Sequence, residues 1–435
     1  MSAESTRESD AEAIAHIRVD DVAKRDDLEL EAAGYQREMP RRFSHWSLGA
    51  LSFVLTCTWL GTGSSVGISL TEASSAGTLW SLPIAGCMTL VLSAGMAELA
   101  SAFPVAGAQY YWSFMVASDE YKPFASFLNG WLSIGGWWFG SSSVANFVSS
   151  MILNIVIAWY PDYNVPKVIM YPLVMGLATA FPFAVSLMYA ITDIDAVLGT
   201  ITGLPVLEIY YQGTGSKVAA SILMALFAFC FYANLIANGT TCSRTMWAVS
   251  RDGAMPFSNI WMRVHPRFKV PVNAMLLSAT ITSIYGLIFL GSTTAFSSMV
   301  ATAIIFLQTS CAIPQAIVLY RGRDRVLPER YFSLGKYGAA FNSVSVAWVV
   351  FLDVLYCFPT AMPVTPQNMN YVSVISVGLL LFVVLLWFTT KRKAFKGPRV
   401  NYERMLAMRA QAVQGRGDNV PHQALSSQGA SVKGD

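Results

Sequence analysis

The sequence predicts an all-α, polytopic membrane protein, and three observations predict it. Of its 435 residues 54% are hydrophobic and only 13% charged, with a mean hydropathy of +0.47. A water-soluble domain needs more charge than that to cover its surface. The charges are also segregated: none falls between His45 and Glu72 or between Glu72 and Glu98. Further uncharged runs cover 123–161, 168–192, 218–243, 270–320 and 354–390. A helix crosses the hydrocarbon core with about 20 apolar residues, so these runs are long enough.

Taken in order, residues 1–45 form a cytoplasmic, disordered tail rich in Glu, Asp, Arg, Ser and Ala, with no leading apolar core of the signal-peptide kind. Residues 46–390 form the transmembrane domain, with about nine spans at 46–70, 79–103, 124–158, 168–192, 218–243, 271–290, 295–320, 338–358 and 370–390. The long run at 270–320 divides at Gly291, Ser292, Thr293 and Thr294, and the last run divides at Pro359 and the polar stretch 361–369. Residues 391–435 form a second polar, cytoplasmic tail.

Basic residues in short loops mark the cytoplasmic side. Arg244, Arg251, Arg263, Arg267 and Lys269 follow the fifth span, and Arg321, Arg323, Arg325, Arg330 and Lys336 follow the seventh. Lys391, Arg392, Lys393, Lys396 and Arg399 follow the ninth. The second half is therefore self-consistent, with its C-terminus inside. Counting back through nine spans puts the N-terminus outside, yet Arg37, Arg41 and Arg42 precede the first span. Either one segment does not cross, or helices around which the charges were arranged are absent.

Several residues carry candidate chemistry. Gly61, Thr62, Gly63, Ser64, Ser65, Gly67 and Ser69 make the first span poor helix material. Unwound backbone in lipid is tolerated where it lines a cavity, and a half-helix N-terminus there holds a carboxylate; the other reading is a small-residue packing face. Glu98 is a carboxylate within an uncharged span: a proton carrier, a structural partner, or an interfacial acid at the helix end. Trp131 and Trp137, beside glycines in the third span, would suit either a cation–π wall or packing. The six cysteines show no paired spacing and the four histidines are scattered, so neither a disulfide nor a metal site is expected. There is no phosphate loop, nucleophile–base pair or basic-aromatic surface, so no enzyme chemistry, cofactor or nucleic acid partner is expected.

The string AELASAFPVAGAQYYW over 97–112 resembles the second-helix signature of the amino acid–polyamine–organocation superfamily, in its fungal GABA/choline/amino acid permease branch. SRTMWAVSRDGAMPF over 243–257 is similar to that branch's eighth helix and following loop. VPVN at 270–273, GSTTAF at 291–296, LYRGR at 319–323 and PVTPQNMNY at 363–371 resemble further landmarks, in family order.

The resemblance implies an inverted-repeat transporter fold of twelve helices, the first and sixth broken around the substrate. YPDYN at 160–164 is similar to the end of the family's third-helix region and VPKVIMY at 165–171 to the start of its seventh helix. Helices four to six are missing between them, an odd number that accounts for the charge conflict. By resemblance the chain is a plasma-membrane permease for an amino acid, GABA, choline or a polyamine, coupled to protons. Gly61, Thr62, Gly63, Ser64 and Ser65 would contact substrate, Trp131 and Trp137 would line the cavity, and Glu98 would couple. The alternative is a transport-inactive paralogue or a nutrient sensor in the membrane.

Overall fold

The computed structural model describes residues 35, 38, 45–56, 58–159, 191–193, 196–197, 205–328, 330, 332–359, 363–365 and 369–398. The fourth expected span, 168–192, and the junction at 160–171 lie outside them but for residues 191 and 192. Among the described residues every regular element is helical. The order is α1 (His45–Thr56), α2 (Thr58–Ala102), α3 (Ala108–Val116), α4 (Lys122–Trp159), α5 (Pro205–Thr214), α6 (Lys217–Arg251) and α7 (Ser258–Trp261). There follow α8 (Val272–Gly291), α9 (Thr293–Arg321), α10 (Arg323–Val326), a 3-10 turn (Gly335–Tyr337), α11 (Gly338–Leu355), α12 (Val372–Leu386) and a π turn (Trp387–Lys391).

Five segments among the described residues are long and apolar enough to cross a membrane: Ser75–Ala102, Lys217–Arg251, Ser297–Arg321, Gly335–Leu355 and Val372–Lys391. They coincide with five of the expected spans, and a shorter apolar stretch, Val272–Gly286, matches a sixth. Their apolar side chains face outward: Trp80, Leu90, Leu226, Phe229, Leu381 and Leu385 are each more than half exposed. Outward apolar residues would be costly in water and are the ordinary lipid face of a membrane helix.

Two expectations are corrected. The first and second spans are not separated by a loop, since α2 runs unbroken through 71–78. That stretch holds no proline, so nothing there stops backbone bonding from continuing. At about 1.5 Å per residue, the 45 residues of α2 extend far beyond a core of about 30 Å. Nor is the backbone unwound over 61–69, which is helical throughout. A glycine costs about 1 kcal/mol of helix propensity, whereas an unpaired backbone group in hydrocarbon costs several, so the i→i−4 bonds win.

The core centres on α4, which packs against α3, α6, α8, α9 and α12. Its glycines permit the approach. A Cβ on Gly136 would lie 2.6 Å from Leu307 Cγ, one on Gly135 3.3 Å from Phe306 Cδ2, and one on Gly130 3.3 Å from Val249 Cγ1. Close approach through small residues is how membrane helices gain packing energy when lipid is as apolar as leucine.

Candidate functional site

α1 ends at Thr56 and α2 begins at Thr58, and residue 57 lies outside the described residues. Asn234 of α6 reaches the backbone of α1: its Nδ2 donates to Val54 O and, at 3.4 Å, to Leu55 O. Asn238, one turn along, donates from Nδ2 to Asn234 Oδ1 at 2.6 Å and to Asn234 O at 3.1 Å. Both asparagines are buried. An asparagine pair one turn apart on α6 thus faces Val54 and Leu55 of α1, a polar seam between the two helices. Sequence reasoning missed this role; the only local sign was two asparagines four apart within an uncharged run.

Gly61 opens the expected substrate segment and is buried. The side chains of Thr62, Ser64 and Ser65 lie outside the described residues, as does the packing of Gly63. Trp131 is 9% exposed and stands edge-on to Phe382 of α12 at 6.0 Å, with Phe127 at 6.3 Å. Its ring therefore belongs to an aromatic cluster with Phe127, Trp387 and Phe395. The indole Nε1–H of Trp131 is buried and donates to no partner among the described residues. Trp137 is half-buried. The next residue, Trp138, is the one held by a polar contact, from Nε1 to Ser278 Oγ of α8 at 3.4 Å.

Glu98 stands 37 positions beyond Gly61 on the same helix, about 55 Å along its path, and the fold does not bring the two together. Only 1% of the Glu98 side chain is exposed. Arg323 Nη2 donates to both of its oxygens at 2.6 and 2.7 Å. Arg330 donates to Oε1 from Nη2 at 2.5 Å and from Nε at 2.9 Å, and the Leu334 N–H adds a bond at 3.2 Å. Ser101, one turn on, accepts from the Phe332 N–H at 2.8 Å. The C-terminal end of α2 is thereby fastened to the segment joining α9 and α11.

A second polar seam lies one turn inward. Gln315 Nε2 donates to Leu92 O at 3.1 Å, while Gln315 Oε1 and Asn342 Oδ1 both converge on the bare Cα of Gly95. Asn129, fully buried on α4, places Nδ2 within reach of Ser113 Oγ (2.6 Å), Gln109 O (3.0 Å) and Ser310 O (3.0 Å). The signature over 97–112 is thus built into the junction of α2, α3, α4 and α9.

A family model described as amino acid permease matches residues 160–384, just over half of the chain. The choline transporter of Saccharomyces cerevisiae is 26% identical over 87% of this chain and 87% of its own length. The amino-acid permease BAT1 of Arabidopsis thaliana is 26% identical over 86% of this chain and 96% of its own. The polyamine transporter TPO5 of Saccharomyces cerevisiae is 29% identical over 55% of this chain and 39% of its own. The choline transporter alignment runs over 493 positions, whereas 87% of 435 residues is about 378, so about 115 positions face no residue of this chain. The BAT1 alignment runs over 502 positions against about 374 residues, leaving about 128.

Proposed function

Because this chain belongs to the amino acid permease family, we propose that it carries a small amine-bearing solute, an amino acid, choline or a polyamine, across the plasma membrane. The observation that carries the reading is the family match over 160–384, on a chain whose helices are apolar enough to cross a bilayer. The relatives' names supply choline, amino acids and polyamines; GABA is proposed from the motif resemblance alone. Transport without chemistry on the solute is part of the proposal, in keeping with a family of carriers.

The substrate contacts proposed are Gly61, Thr62, Gly63, Ser64 and Ser65, with Trp131 and Trp137 toward the cavity. The polar seam that Asn234 and Asn238 form against Val54 and Leu55, a few positions before 61–65, supports a polar site there. Glu98 is the resemblance's choice for proton coupling. Its two arginine partners favour a different role, since a carboxylate between two nearly buried guanidinium groups is already neutralised and gains little by taking a proton. We read it as the fastener of the cytoplasmic end.

A second reading, a membrane sensor or inactive paralogue, is favoured by one observation: the relatives have more than a hundred aligned positions that this chain lacks. Uptake of labelled choline, amino acids, GABA and spermidine by cells expressing the chain, beside empty-vector cells, tests both. Saturable uptake supports the carrier. Binding of a solute by the purified protein, with no uptake from cells that hold it in the membrane, supports the sensor.

A further inference from the structure

The connection from α6 to α8 is unusual for a loop facing the cytosol. Between Asp252 and Asp324 the sequence holds no carboxylate at all, while Arg263, Arg267 and Lys269 fall within seven positions of one another. All three are exposed. Beside them Phe257 is 76% exposed and Phe268 59%, with Ile260 and Met262 also turned outward. The polar groups of the connection are meanwhile used inward. Trp261 Nε1 donates to Pro256 O at 2.9 Å, Trp247 Nε1 to Met262 O at 3.1 Å, and Asn273 Nδ2 to Ile260 O at 2.9 Å.

The basic tip is a closed turn. The His265 N–H donates to Val270 O and the Lys269 N–H to His265 O, both at 2.9 Å. His265 Nδ1 accepts from the N–H groups of Arg267 (3.2 Å) and Phe268 (3.3 Å), and its ring lies 4.8 Å from that of Phe268. The turn holds Arg267, Phe268 and Lys269 outward together, with Lys269 in the left-handed region at φ 55°. It sits where two apolar helices end on the basic, cytoplasmic side, at the level of lipid headgroups.

We propose that the connection between α6 and α8 docks on anionic phospholipid headgroups of the cytoplasmic leaflet, with Arg263, Arg267 and Lys269 on the phosphates and Phe257 and Phe268 in the acyl boundary. Cationic side chains with no acid in the same connection, interleaved with outward aromatic rings, match the chemistry of that interface. An acidic protein would satisfy the charges but gives no account of two phenylalanines at the bilayer level.

The test uses the full chain in nanodiscs, with a bimane label on Asn259→Cys, an exposed position in the same connection, and the unsubstituted chain as background. Quenching is compared between brominated phosphatidylserine and brominated phosphatidylcholine, each at the same low fraction. Phosphatidylserine should quench in excess, and the excess should fall about fivefold for each basic residue removed and vanish in the R263A/R267A/K269A variant. Phe257→Ser with Phe268→Ser, which leaves the charges, should reduce quenching by both lipids. Millimolar inorganic phosphate should not displace the lipid; displacement would mean that free phosphate is the ligand. Equal quenching by the two lipids, or an unchanged triple variant, overturns the proposal. So does quenching by neither lipid together with protection of the label by a polyglutamate peptide.

Discussion

Replacing Glu98 by glutamine would leave Arg323 and Arg330, both nearly buried, without their counter-charge. Removing one partner of a buried ion pair costs about 3–5 kcal/mol, so E98Q should unfold markedly earlier in a detergent melt. A variant as stable as the parent, with altered pH dependence of uptake, would instead support coupling. Gly95→Ala puts a methyl group against Gln315 Oε1 and Asn342 Oδ1 and should cost about 1–3 kcal/mol on the same measurement. Cys357 reports orientation. It is exposed just past the end of α11 away from the basic flank, so an impermeant maleimide should label it from outside intact cells. Partial burial, and secondarily the charge of Asp353, push its thiol above the ordinary value. The reactive thiolate is therefore scarce at pH 7, and labelling should still be accelerating between pH 8 and 9, where an ordinary thiol of pKa about 8.5 begins to level off. Labelling only after permeabilisation would reverse the assigned sides.

At the scale of elements, α2 and α4 divide the work. The first span was legible as apolar and rich in glycine, but whether its glycines unwind depends on which neighbours offer alternative hydrogen bonds, and over 61–69 the helix persists. Gly63→Trp should abolish uptake if the 61–65 stretch faces the solute path; unchanged uptake would remove those residues from the site. On α4 the glycines serve packing, as Gly136 against Leu307 demonstrates. Gly136→Ala should lower the melting temperature by forcing α9 away from α4, whereas Gly140→Ala, which meets open space, should be nearly silent.

At the scale of the whole molecule, the count of spans and the count of charges disagree, and the alignments give the disagreement a size. More than a hundred positions of the relatives have no counterpart here. The family match begins at residue 160, beside the junction at 160–171 that the motifs single out. Sequencing the transcript is expected to reveal an additional helical block at that junction. A chain with the block restored should take up substrate at least as fast as the 435-residue form; a transcript with no such block, and uptake by the shorter form, would show that the present helices suffice.

Membrane residence and most span positions follow from the sequence by itself, and the charge pattern sets the expectation that Cys357 labelling tests. Each is a property of run length and local charge judged against a bilayer about 30 Å thick, and needs no knowledge of which residues meet. The family resemblance was legible for the same reason, being carried by contiguous strings. What only the tertiary structure decided are the pairings across long separations. Glu98 meets Arg323 and Arg330 from more than two hundred positions away, Asn234 donates to the carbonyls of Val54 and Leu55, and Trp138 rather than Trp137 finds a polar partner. A buried polar group must find its partner wherever packing brings one, and packing is a property of the assembled helices, not of any stretch of chain.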